Sequence, residues 1–137
     1  MSQENVELAK CFHEARRGDI DAAMKFVADD VVATEFGERV DTPRVFHGRK
    51  EWLGYYGHGA EVFEDYGREI DEWADMGEWV IAVGRWRGKG KSSGVPIEGR
   101  AVNAARWREG KIVEYLFGFA SKEAALQGGP VAGLAQV

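Results

Sequence analysis

The chain has 137 residues, 45% of them hydrophobic, with a formal net charge of −5 and a pI near 5.3. This is one domain of ordinary globular composition, long enough to bury a packed core. The acidic balance argues against nucleic acid as a general partner, because phosphate backbones call for a basic surface. No apolar run reaches bilayer length, no secretory signal is read at Met1–Ser2, and the single Cys11 allows no internal disulfide and fits a reducing cytoplasm.

In chain order, Ser2 caps a first helix, with Glu4 and Glu7 near its positive end. Leu8, Cys11, Phe12 and Ala15 recur at helical spacing, and Gly18 stops the pattern. Asp19 caps a second short helix carrying Ala22, Ala23, Phe26 and Val27, which Asp29–Asp30 ends. Val31 to Phe36 is rich in β-branched residues and reads as a strand. Residues 37–48 form a polar loop with an extended piece at Arg44 to Phe46. Arg49 to His58 carries Trp52, Leu53 and Tyr56 at one-turn spacing, a third helix weakened by Gly54, Gly57 and Gly59. Phe63 to Ala74 is a strand that turns at Met76–Gly77. Three long strands follow: Glu78 to Gly88, Glu98 to Arg108 and Lys111 to Phe119. The glycine- and serine-rich stretch from Gly88 to Pro96 joins the first two as a mobile loop, and Glu109–Gly110 is a two-residue hairpin signal between the last two. A final helix starts near Ser121, and residues 128–137 form a flexible tail beyond a domain of residues 1–127. The basic group Arg85, Arg87, Lys89 and Lys91 reads as a solvated edge that discourages strand pairing. The order predicts an α+β fold: a cone-shaped, strongly curved antiparallel sheet wrapped around the N-terminal helices, open at one end.

Strand side chains alternate between faces. In the penultimate strand Ala101, Asn103, Ala105 and Trp107 share a face; in the last, Val113, Tyr115, Phe117 and Phe119 do. Alanines flanking an amide leave space beside an aromatic wall, the composition of a small-molecule pocket. The alternative is a filled core in which Asn103 bonds to a neighbouring backbone. Trp52, Tyr56, Trp107, Tyr115, Phe117 and Phe119 are the expected apolar lining, with Cys11 on the first helix. Glu35 sits near the end of an otherwise apolar strand. Facing inward it is a proton acceptor made stronger by desolvation; facing outward it is an ordinary solvated carboxylate, and parity alone leaves both open. His13, His47 and His58 match no metal-ligand spacing and read as structural; no metal or cofactor motif is present.

Four segments together resemble the SnoaL-like branch of the NTF2-like (cystatin-like) superfamily, which includes ketosteroid isomerases, polyketide cyclases and limonene-epoxide hydrolases. They are Arg17-Gly18-Asp19, the run Phe26 to Val31, Phe46-His47-Gly48-Arg49, and the hairpin Arg106 to Ile112. By resemblance to ketosteroid isomerase, Glu35 takes the place of the general base and Asn103 that of the neutral acid of the oxyanion hole, while Cys11 stands where a tyrosine is expected. A thiol is a weaker donor than a phenol. The acidic residue that related cyclases carry on the last strand is missing from Phe117-Gly118-Phe119-Ala120. Two functions are consistent with these residues: an isomerase, cyclase or hydrolase using Glu35 and Asn103 on an apolar carbonyl-type substrate, or a non-catalytic module for binding a small apolar molecule or for dimerisation. By the same resemblance, the outer sheet face, with Val102, Ala104, Arg106, Arg108, Ile112, Glu114 and Leu116, is expected to pair with a second copy as a homodimer.

Overall fold

The computed structural model describes residues 2–18, 20–36 and 44–127, with side chains for residues 4–16, 20–36, 44–55 and 67–126. The expected tail of residues 128–137 lies outside the described residues, as does the side chain of Tyr56.

Helix α1 (Ser2–Gly18) buries Val6, Ala9 and Phe12, one stripe at three-residue spacing. Cys11 lies on the side of that helix opposite the buried stripe and is exposed. Helix α2 (Ile20–Ala23) gives way to a 3₁₀ turn (Met24–Phe26), and strand β1 (Val27–Glu35) begins four residues earlier than its β-branched run suggests. Val27 is already extended and packs in the core, so the Asp29–Asp30 pair lies within the strand, on exposed positions. Strand β2 (Arg44–His47) leads into α3 (Gly48–Val62).

The junction explains the Phe46-His47-Gly48-Arg49 segment. Gly48 has φ +84°, where a side chain is strained, and a Cβ there would stand 3.3 Å from the Asp29 carbonyl. Arg49 ties this corner to β1 through the Asp29 carboxylate and to the Met24 carbonyl. Glu51 accepts the His47 backbone N–H at 3.0 Å.

Strands β3 (Phe63–Met76), β4 (Trp79–Gly90), β5 (Pro96–Arg108) and β6 (Lys111–Phe117) complete a six-stranded curved, unclosed sheet in the order β2-β1-β6-β5-β4-β3. Among the described residues the sheet departs from an all-antiparallel one at a single seam, where β1 runs parallel to β6. β4 and β5 continue pairing to Lys89 and Pro96, which reduces the expected Gly88–Pro96 loop to a short turn. The Glu109–Gly110 turn has φ +50° and +76°, the doubly left-handed geometry of a tight hairpin. Curvature is helped by a bulge in β3 opposite Gly84, where the backbones come so close that a Cβ would fall 1.8 Å from the Glu69 carbonyl oxygen.

A first apolar cluster fills the concave side between the sheet and helices α1 and α3. A second lies on the other face, where Ile81, Val102, Ala104 and Leu116 are buried together with Ala125 of helix α4 (Lys122–Gln127). Ser121 Oγ accepts the Ala124 N–H at the start of that helix. Much of the outer face anticipated for a second copy is therefore buried within one chain. Two assignments by simple alternation change. A bulge shifts the register between Arg106 and Trp107, so Ile112 packs in the inner cluster. After Phe117 the chain turns through Gly118 (φ +88°), and Phe119 lands in the outer cluster, stacked on Phe36 at 5.0 Å.

Candidate functional site

Register places the two candidate catalytic residues in one row. Glu35 of β1 pairs with Phe117 of β6, Phe117 with Asn103 of β5, Asn103 with Ala82 of β4, and Ala82 with Trp73 of β3. Directly paired residues point to the same face. Ala33, Ala105 and Phe117 belong to the inner cluster, so Glu35 and Asn103 both face inward. Two strand spacings separate their backbones, about 10 Å, with the buried Phe117 ring packed between them.

At one pole Glu35 has both carboxylate oxygens engaged. The Tyr55 hydroxyl donates to Oε2 at 2.6 Å, and the Arg44 guanidinium donates to Oε1, with Nε at 2.7 Å. The Glu35 side chain is 15% exposed, whereas that of Arg44 is 56% exposed, so the ion pair closes the pole from the solvent side. Phe46 and Tyr55 (5.1 Å), and Tyr55 and Phe117 (5.5 Å), build an aromatic wall around it. Tyr55 supplies the hydroxyl here, one residue before the Tyr56 chosen from helical spacing.

At the other pole Asn103 is 3% exposed and hydrogen-bonds His13 of α1. Burial of the imidazole is the main cause holding the His13 pKa well below its ordinary 6.5; the Arg16 and Arg68 guanidinium groups push the same way, and the Asn103 bond opposes them. An imidazole N–H donating to the Asn103 carbonyl oxygen is the arrangement that leaves the amide N–H₂ as a donor. His13 is thus neutral at pH 7. Its ring stands edge-on to Phe12 (5.2 Å) and Trp73 (5.4 Å). Arg16, one turn on, donates to the Tyr115 hydroxyl at 2.9 Å and covers the Phe12 ring at 5.2 Å. Arg68 of β3 is in register with Trp86 and Gly99 on the same inner face, and the Trp86 indole lies over Gly99.

Of the expected lining, Phe117 lies in the row, while Trp52 and Tyr115 (4.7 Å apart) are fully buried core behind it. Trp107 is four residues from Asn103, about 13 Å along the strand. It lines a separate open groove of about 840 Å³ at the hairpin end, with Glu4, Asn5, Leu8, Arg108 and Lys111. The residues missed from sequence are His13, Arg16, Arg44, Tyr55 and Arg68. For His13 and Arg16 the signal was present: both flank the buried stripe of α1, one residue and four residues after Phe12. Among the described residues no cluster of three metal-ligating side chains occurs, and no helix is long and apolar enough to cross a membrane.

The family model for SnoaL-like domains matches residues 8–115. No functionally curated protein matches the chain significantly. Solved structures with the same fold include an NTF2-like protein from Burkholderia thailandensis, with 24% identity, a TM-score of 0.73 and coverage of 89% of this chain and 94% of that one. Another is IdmH, a candidate polyketide cyclase from Streptomyces antibioticus, at 26% identity and TM-score 0.68 over 81% of this chain and 88% of that one. A third is a protein of ketosteroid isomerase-like fold from Catenulispora acidiphila in complex with trimethylamine, at 17% identity and TM-score 0.71 over 92% and 95%.

Proposed function

The chain belongs to the SnoaL-like domain family, and from that premise we propose that it takes a small, planar, largely apolar carbonyl compound against the inner sheet face and moves a proton on it. The observation that supports this most is the row Glu35–Phe117–Asn103. Phe117 is 6% exposed under the Phe46, Tyr55 and Tyr115 rings, so a flat ring system enters between Glu35 and Asn103 as those rings move aside, its carbonyl oxygen toward the Asn103 amide and its α-carbon toward Glu35. Glu35 takes the α-proton, the electron pair moves onto the carbonyl oxygen, and the Asn103 N–H donates to the oxygen that gains charge. His13 fixes the amide orientation by holding its carbonyl end. Tyr55 and Arg44 fix the carboxylate, and each carboxylate oxygen keeps a second lone pair for the proton. Removing one donor to a developing oxyanion costs on the order of 10²–10³ in rate.

The test uses α-proton exchange, which needs no natural substrate. With 2-tetralone in D₂O, the folded protein accelerates deuterium incorporation at the α-carbons. Glu35→Gln abolishes the acceleration while ligand still raises the Tm by mass action. Exchange that survives Glu35→Gln rules out Glu35 as the base. A second reading, ligand capture without turnover, is favoured by one observation: both Glu35 oxygens already have protein partners. A Tm rise with no exchange in the unmodified protein selects it.

A further inference from the structure

Two of the groups that cover the Glu35 pole come from one short strand. Arg44 and Phe46 are alternate residues of β2, so their side chains share the inner face. Arg44 donates to Glu35 Oε1 through Nε at 2.7 Å and through Nη2, and its guanidinium stands 5.7 Å from the Tyr55 ring centroid. Phe46 stacks on Phe117 at 6.5 Å and tilts against Tyr55 at 5.1 Å. The other two rings against Phe117 are rooted more deeply. Tyr55 shares helix α3 with the fully buried Trp52, and Tyr115 is itself fully buried on β6, between β1 and β5.

Strand β2 is held lightly at one end and firmly at the other. It is four residues long, outermost in the sheet, and paired among the described residues with β1 alone. Val45, on its back, is 46% exposed, so burial there adds little to hold it. At its start the tie is the Arg44–Glu35 ion pair, and a pair whose cation is this open to solvent contributes little stability. At its far end Glu51 accepts the His47 N–H, and Arg49 bonds the Asp29 carboxylate and the Met24 carbonyl. Between these anchors Gly48, at φ +84°, has the backbone freedom of a pivot.

We propose that β2 is a door to the inner face, pivoting at Gly48 and latched by Arg44 on Glu35. This rests on the reading of the row as a small-molecule site and adds how that site is entered. An outward swing of β2 takes Phe46 off Phe117 and Arg44 off Glu35 in one motion, and opens the space between Glu35 and Asn103 from the Glu35 side. Reclosing over the ligand restores the ion pair, which orients the carboxylate again and shuts out water. Entry therefore breaks a charge pair even for a ligand that carries no charge.

The experiment follows association of 2-tetralone by stopped-flow tryptophan fluorescence at pH 7.5. The probe is neutral, so salt acts on the latch and not on electrostatic steering. Between low and high salt the association rate constant of the unmodified protein is expected to rise about three- to five-fold, the factor an exposed ion pair carries, and Arg44→Gln is fast at both. Equal rates at the two salt concentrations in the unmodified protein overturn the latch. A Thr34→Cys/Val45→Cys disulfide in a Cys11→Ser background blocks the swing itself: the two residues are directly paired, on the face away from Glu35, at a separation a disulfide spans. The oxidised protein is expected to take up 2-tetralone roughly ten-fold or more slower than the same protein after reduction. Equal rates before and after reduction overturn the door and leave the small-molecule reading standing. No binding of 2-tetralone by the unmodified protein overturns both. The salt dependence is read in the unmodified chain, so a variant that fails to fold or to oxidise does not remove the test.

Discussion

The His13–Asn103 bond joins the first helix to the fifth strand across the inner face, and a double-mutant cycle measures it. Asn103 is 3% exposed and lies between Ala101 and Ala105 on its face of β5. In Asn103→Leu the imidazole N–H loses its acceptor, and in His13→Phe, which keeps ring packing against Phe12 and Trp73, the amide loses its donor. Each leaves a buried polar group unsatisfied at a cost of about 1–3 kcal/mol. For a chain of 137 residues that is a Tm decrease of roughly 3–10 °C. The double variant replaces both partners with apolar groups, so neither penalty remains, and its cost falls below the sum of the singles by about 1 kcal/mol or more. Urea unfolding of the four proteins at pH 7.5 supplies the cycle. Costs additive within about 0.5 kcal/mol refute the bond, and with it the account of how Asn103 is oriented.

Three further outcomes follow from the same geometry. Because the folded-state His13 pKa lies below 6.5, the unfolded chain takes up a proton first as pH falls. Stability therefore drops below about pH 6.5, by up to about 1.4 kcal/mol per pH unit, until His13 protonates within the fold. His13→Phe flattens that part of the curve, and an unchanged pH profile contradicts it. Gly84→Ala drives a methyl into the Glu69 carbonyl and costs about 3 kcal/mol or more, whereas Gly67→Ala, with nothing within 4 Å, shifts the urea midpoint little; equal midpoints for the two refute the close-approach argument. Tyr55→Phe removes the donor to Glu35 Oε2 and costs about 1–2 kcal/mol, since Arg44 still holds the carboxylate; a neutral effect in urea unfolding means the hydroxyl is not bonded there.

Much of this was legible in the sequence because it rests on local rules. Glu109–Gly110 encodes a tight turn through backbone conformation alone. Strand alternation put Asn103 among alanines on the inner face, and the segment from Phe46 to Arg49 marked a strand-to-helix corner. The orientation of Glu35 was not legible: it depends on which residues of β1 meet β6, a parallel pairing between the two ends of the chain. Phe119 was misplaced because alternation holds only while the strand lasts, and Gly118 ends it. Cys11 was misplaced by counting along the chain from Gly18; the helical stripe Val6–Ala9–Phe12 turns position 11 outward. His13 was set aside as a lone histidine. Its importance comes from Asn103, 90 residues away, and from Arg68 on a third element.

The central claim is that ligand binds on the inner face beside Asn103 and not in the hairpin-end groove. The sequence contains only two asparagines, Asn5 and Asn103. Asn5 lines the groove and donates to the Gly77 carbonyl at 3.1 Å. Selective ¹⁵N-asparagine labelling therefore yields two side-chain amide nitrogens, one at each location, each with its pair of N–H signals. Titration with 2-tetralone is predicted to shift the Asn103 amide in a saturable way and leave Asn5 in place; a saturable shift of Asn5 alone contradicts the account.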